Sequence, residues 1–226
     1  MKILAIETAS EACSAALYSN GDITSRFELA PRRHAELILP MCESLLKAAN
    51  MAVTDLDALA FGRGPGAFTG VRIATGVIQG MAWAADVPVV PVSSLAAVAH
   101  AAMHEHGCEQ VAVAMDARMN EVYWGCYQQH NTGVILLGEE MVIAPQKVNM
   151  PQGEWFAAGT GWQTYLEELS EQTSEQVIAR DAELLPHAGA VAQLAVSVVE
   201  RGEQLGAEQV IPIYLRDNVA EKKKSS

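Results

Sequence analysis

Cysteine is sparse and poorly placed for chemistry. The chain's four, Cys13, Cys42, Cys108 and Cys126, form no Cys-x-x-Cys pair, so neither a zinc site nor a disulfide framework is indicated and they read as small core residues. No stretch reaches the ~18 uninterrupted apolar residues of a membrane span. Glu7 falls inside the N-terminal apolar run, where a signal peptide needs its hydrophobic core. A cytoplasmic location without membrane partners is expected. Positive charge is short too: 15 Lys and Arg against 27 Asp and Glu leave a formal charge of −12. Phosphate neutralisation supplies most nucleic-acid affinity, so this chain is expected to meet nucleic acid only through a partner. Its one basic cluster, Lys222-Lys223-Lys224 within residues 221–226, reads as a solvated end and is assigned no site.

Lysine is also missing from the most informative motif. Gly62-Arg63-Gly64-Pro65-Gly66-Ala67-Phe68-Thr69-Gly70-Val71-Arg72 joins a strand ending near Phe61 to a helix beginning near Thr69. A glycine turn before a helix can cradle phosphate. The P-loop, however, requires Gly-Lys-Ser/Thr, and a dinucleotide loop requires Gly-x-Gly-x-x-Gly followed by an acid. Neither pattern is met, and the loop reads as a shaped turn that positions the helix.

What is present is duplication. Segments 3–8, 12–18 and 22–29 read as three successive strands, the last two joined by the hairpin dipeptide Asn20-Gly21. Segments 111–116, 121–128 and 134–142 repeat the rhythm. Glu7 and Asp116 close the first strands and Tyr18 and Tyr127 the second, both at an offset of 109 (116 − 7 and 127 − 18). A chain of 226 residues is long enough for two lobes of about 100 residues each, and two lobes flanking a cleft are expected, at 1–107 and 108–226.

Two helices lie between the triplets. Residues 32–49 are apolar except for a narrow strip of Glu36, Glu43 and Lys47, with Pro40 inside. Residues 69–85 are apolar or small almost all round, and Gly76 and Gly80, four apart, share one face that would admit another helix closely. So much apolar surface exceeds what one lobe can cover and points to a protein partner or a homodimer. The residues expected at that interface are Leu37, Met41, Leu45, Phe68, Arg72, Gly76 and Gly80, with Gly62, Arg63, Gly64, Pro65 and Gly66 as the shaping loop. Later, Gly159-Thr160-Gly161-Trp162 reads as a turn into a helix, 184–199 as an Ala/Val helix and 211–216 as an extended segment.

Ala5-Ile6-Glu7-Thr8-Ala9, the glycine loop, Asp116-Ala117-Arg118-Met119-Asn120-Glu121-Val122-Tyr123 and Pro212-Ile213-Tyr214-Leu215-Arg216 together resemble the bacterial TsaB (YeaZ) family over nearly the whole chain. The resemblance implies an α/β, two-lobed actin/sugar kinase/Hsp70 ATPase-like (ASKHA) fold of duplicated ribonuclease H-like domains. It also implies a non-catalytic role in forming N6-threonylcarbamoyladenosine at position 37 of tRNAs that read codons beginning with adenine. The implied partners are the catalytic paralogue TsaD and the ATPase TsaE, with tRNA reached only through the complex and a homodimer when the chain is alone.

Catalytic equipment looks incomplete. The paralogue holds its metal with two histidines four apart on a helix; the matching positions are His34 and Ile38, and isoleucine coordinates nothing. The turns after Glu7 and Asp116 lack the glycine that brings backbone N–H groups to phosphate. Glu7, Thr8 and Asp116 are the residues that weak ATP or ADP binding at a partner interface would use; no firm cofactor and no metal are expected. A self-sufficient ATPase or kinase is the alternative reading, and a metallopeptidase a more distant one.

Overall fold

A computed structural model describes residues 1–173 and 175–216; the Lys222–Lys224 cluster lies outside the described residues. The first half forms β1 (Lys2–Glu7), β2 (Ala12–Ser19), β3 (Asp22–Leu29), α1 (His34–Ala48), β4 (Ala58–Gly62), α2 (Phe68–Ala85), β5 (Val89–Val92) and α3 (Ser94–His106). The second forms β6 (Gln110–Arg118), β7 (Glu121–His130), β8 (Gly133–Ile143), β9 (Trp155–Ala158), α4 (Gly161–Thr164), α5 (Leu166–Thr173), β10 (Val177–Asp181) and α6 (Ala188–Glu200).

The strands make two five-stranded sheets, ordered β3-β2-β1-β4-β5 and β8-β7-β6-β9-β10. In each, the first three strands in sequence pair antiparallel and the last two join parallel. This is the duplicated ASKHA architecture. Asn20 and Gly21 both take positive φ (52° and 107°), the primed-turn geometry that suits the strand twist.

The repeat is offset by one residue in one place. Glu7 pairs with Ser14 and Tyr18 with Ile3, whereas Asp116 pairs with Val122 and Tyr127 with Val111. The second hairpin is the tighter: β6 runs two residues past Asp116, with a register shift between Asp116 and Arg118. Three consecutive residues, Arg118, Met119 and Asn120, take positive φ, a conformation each adopts at some steric cost.

Helices α1 and α2 cover one face of the first sheet, over Leu4, Ile6, Leu59 and Phe61. Its other face, of Ile3, Ala5, Ala60 and Val90, packs on α6. Helix α3, from the first half of the sequence, packs on Val111, Val113 and Phe156 of the second sheet. The halves therefore interlock through α3 and α6, whose starts are capped by Ser93 and His187. The far face of the second sheet is filled by Trp124, Trp155 and Trp162, the last donating its indole N–H to the Ala112 carbonyl (3.0 Å). Cys13, Cys42 and Cys126 are buried and Cys108 partly so; burial pushes the Cys42 and Cys126 thiols up to about 12. Among the described residues no helix is long and apolar enough to cross a membrane.

Candidate functional site

Strand β4 delivers the glycine loop onto the turn that follows β1, and the two segments are in direct backbone contact. The Ala67 N–H donates to the Ala9 carbonyl (2.7 Å), and the Thr8 hydroxyl donates to the Gly70 carbonyl (2.8 Å). A Cβ on Gly66 would collide with the Ala9 carbonyl oxygen and one on Gly70 with that of Thr8, both closer than the 3.0 Å that real Cβ contacts respect. Here glycine is required by close approach, since backbone cannot swing aside as a side chain can. The loop and the turn, packed together in this way, line one wall of the cleft between the halves. Two donors of the turn are engaged as well: the Ala9 N–H goes to Glu7 Oε1 (2.6 Å) and the Ala12 N–H to Ser10 Oγ (3.2 Å).

Glu7 is fully buried. Its second oxygen accepts from the Ser94 hydroxyl at the start of α3 (2.7 Å), and a side chain at Gly62 would run into the carboxylate. Burial raises its pKa above the ordinary 4.5, against the opposing hydrogen bonds from Ala9 and Ser94. Glu7 and Thr8 thus tie the first turn to α3 and to the loop, facing inward.

The loop also reaches the second sheet. Arg63 meets Glu140 of β8 at 3.4 Å, and the Tyr127 hydroxyl donates to the other Glu140 oxygen (2.6 Å); burial and the Glu140 charge hold the Tyr127 pKa well above 10. The Tyr123 hydroxyl lies 3.5 Å from the Gly66 carbonyl. The Ile213 N–H donates to the Arg63 carbonyl (3.0 Å), which anchors the extended segment 211–216. The Gly64–Pro65 peptide is cis.

A cleft of about 780 Å³ separates the halves beside this loop. Asp116 lines it; Glu7 and Thr8 do not. The Asp116 carboxylate accepts from the Arg118 backbone N–H (2.8 Å) and the Tyr165 hydroxyl (3.3 Å) and pairs with the Arg118 guanidinium (3.0 Å). Arg216 donates to the Ala117 carbonyl (3.2 Å) and to the Glu121 carboxylate, clamping the same hairpin. His34 is buried with its ring at 3.0 Å from the Ser10 carbonyl, and Ile38 is core.

On α2 the outward face is unusual. Residues 72, 76, 80 and 83 step along one side of the helix, and all four are exposed. Nothing among the described residues lies within 4 Å of where a Cβ would sit on Gly76 or Gly80, so no described segment makes use of their missing side chains. Trp83 is 67% exposed at one end of the stripe. At the other, the Arg72 guanidinium lies over the Phe68 ring (3.3 Å) and nearer Phe68 than Tyr214 (5.2 Å). Leu37 and Met41 of α1 are half-buried beside it. Leu45 is different: at 1% exposure it faces the first sheet and belongs to the core, which corrects its assignment to the interface. Trp83 and Leu39, 49% exposed on α1, were absent from the sequence assignment. Stepping three residues on from Gly80 would have reached Trp83.

A family model described as TsaD, tRNA N6-adenosine threonylcarbamoyltransferase, matches residues 25–224. The chain is similar to the Escherichia coli K12 protein named tRNA threonylcarbamoyladenosine biosynthesis protein TsaB, at 45% identity over 99% of this chain and 98% of that one. The Haemophilus influenzae protein of the same name is 39% identical over 99% and 97%. Among solved structures, YeaZ from Pseudomonas aeruginosa superposes with a TM-score of 0.90 at 50% identity, covering 95% of this chain and 99% of that one. On these full-length likenesses the chain belongs to the TsaB (YeaZ) family.

Proposed function

We propose that this chain is a non-catalytic subunit for N6-threonylcarbamoyladenosine formation at position 37 of tRNAs reading codons beginning with adenine, and that it docks on TsaD through the outer face of α2 and the adjoining part of α1. One observation carries the reading. Glycine inside a helix costs about 1 kcal/mol relative to alanine, and Gly76 and Gly80 bear that cost with no contact among the described residues to offset it. A second helix lying across the stripe would use the missing side chains, with Trp83, Met41 and Leu37 packing around it. The role of the glycine loop is then to fix α2 rigidly on the first turn and the second sheet.

The division into halves at 1–107 and 108–226, crossed by α3 and α6, gives that face a firm platform. A self-sufficient ATPase finds little support, because Glu7 is buried and bonded to the Ala9 N–H and the Ser94 hydroxyl. Asp116, at the cleft, is the residue that ATP or ADP shared with a partner would meet. A peptidase would rest on His34, whose ring is already bonded. TsaE joins the assembly, the charge of −12 leaves tRNA to the partners, and the chain by itself pairs through the same face as a homodimer. Mixing the purified chain with TsaD of the same organism and measuring the mass of the complex tests the proposal; absence of association at micromolar concentration contradicts it.

A further inference from the structure

At the far end of α3, away from the cleft, three side chains converge. Glu105 and His106 close the helix and Asp181 ends β10, and one ligand atom from each lies within 4.8 Å of the others. His106 Nε2 is 3.1 Å from Asp181 Oδ2. Two ligands on one tetrahedral ion stand about 3.4 Å apart when each bond is ~2.1 Å. The histidine and the aspartate are thus already near that spacing, and only the exposed, flexible Glu105 has to close in.

Two of the three are held in place. The His106 ring stacks on Phe156 of β9, centroids 4.5 Å apart at 23°. The Asp181 carbonyl accepts from the Gly159 N–H (3.0 Å) and Oδ1 from the Glu183 N–H (3.0 Å), which leaves Oδ2 for the cluster. Negative potential at the helix C-terminus adds to the two carboxylates in favouring a cation. One imidazole with two carboxylates, open on the solvent side, suits a divalent first-row transition ion such as Zn²⁺, Co²⁺ or Ni²⁺ better than Mg²⁺ or Ca²⁺, which favour all-oxygen sets.

We propose that Glu105, His106 and Asp181 form a divalent transition-metal site that fastens the end of α3 to the edge of the second sheet. The site is structural, since none of the three residues lines the cleft. The test uses the full chain, tag-free and stripped with chelator, titrated with Zn²⁺ by calorimetry and with Co²⁺ by visible absorption. One saturable ion per chain, a cobalt band and a rise in melting temperature with Zn²⁺ are expected. His106→Ala and Asp181→Asn should each weaken binding about tenfold or more, and Glu105→Gln, at an exposed position that leaves folding untouched, should also weaken it. His104→Ala, exposed and two residues from His106, should change nothing. Absence of saturable binding overturns the site. So does binding that survives all three substitutions, or that falls equally with His104→Ala, which would show weak ion capture by an acidic surface only.

Discussion

Replacing Gly70 by alanine adds one methyl where α2 begins, and the structure places that methyl against the Thr8 carbonyl oxygen, inside any attainable contact distance. Both atoms belong to backbone, one in the first turn of α2 and the other in the turn after β1, so relief requires one segment to move. Overpacking of this kind costs about 1–3 kcal/mol. Movement also breaks the buried bond from the Thr8 hydroxyl to the Gly70 carbonyl, about 1–3 kcal/mol if the hydroxyl stays unpaired. Helix propensity returns at most ~1 kcal/mol. The net loss is about 3 kcal/mol. At ~2–4 °C per kcal/mol for a chain of this size, the melting temperature should fall by roughly 6–12 °C. Scanning calorimetry of wild type, Gly70→Ala and Thr8→Val measures it, with Thr8→Val isolating the hydrogen bond at about 1 kcal/mol. A Gly70→Ala protein that melts within a degree or so of wild type would show that the loop and the first turn are separable.

Other substitutions probe neighbouring parts of the account. Glu7→Gln should be tolerated, since its amide can accept from Ala9 and donate to Ser94. Because burial raises the folded-state pKa of Glu7 above 4.5, the stability that Glu7 contributes is complete below pH 4.5 and is lost as pH rises through the raised value. The melting temperature of Glu7→Gln relative to wild type should therefore climb from pH 4.5 upward and then level off; a flat difference would contradict the burial argument. Arg63→Met strands the Glu140 carboxylate between β8 and the glycine loop and should cost about 2 kcal/mol in denaturant unfolding, with much of it recovered in Arg63→Met/Glu140→Gln. Gly66→Val should harm assembly with TsaD more than folding of the second half, read by complex mass and by the near-ultraviolet signal of Trp124, Trp155 and Trp162. Unimpaired assembly by a folded Gly66→Val protein would make the loop a mere turn.

Much of the frame was legible because it rests on local chemistry. The short apolar runs and Asn20-Gly21 give β1 to β3 nearly to the residue, and the repeat of that rhythm announces the second sheet. The glycine loop showed itself by composition, though only contact with Ala9 and Thr8 explains why Gly66 and Gly70 are glycine. Leu45 escaped because α1 is apolar on so much of its circumference that periodicity cannot separate the side facing β2 from the side facing solvent. The one-residue offset at Asp116 escaped because Arg118 and Met119 are not residues that advertise a left-handed turn, and Asn120 has no glycine beside it to mark the hairpin. Helix α3 and its packing on the second sheet were unread: an alanine-rich helix carries little amphipathic signal, and its partner strands lie far away in sequence.

The glycine stripe of α2 is proposed to serve a partner. Gly76→Leu and Gly80→Leu place side chains in open space and improve helix propensity, so each should raise the stability of the isolated chain by up to about 1 kcal/mol. The direct measurement is calorimetric titration of TsaD with wild type, Gly76→Leu, Gly80→Leu and the double variant, each melted in parallel. Association is expected for wild type and its loss in the double variant, in a protein that melts no lower than wild type. Undiminished affinity of a folded double variant would contradict that proposal.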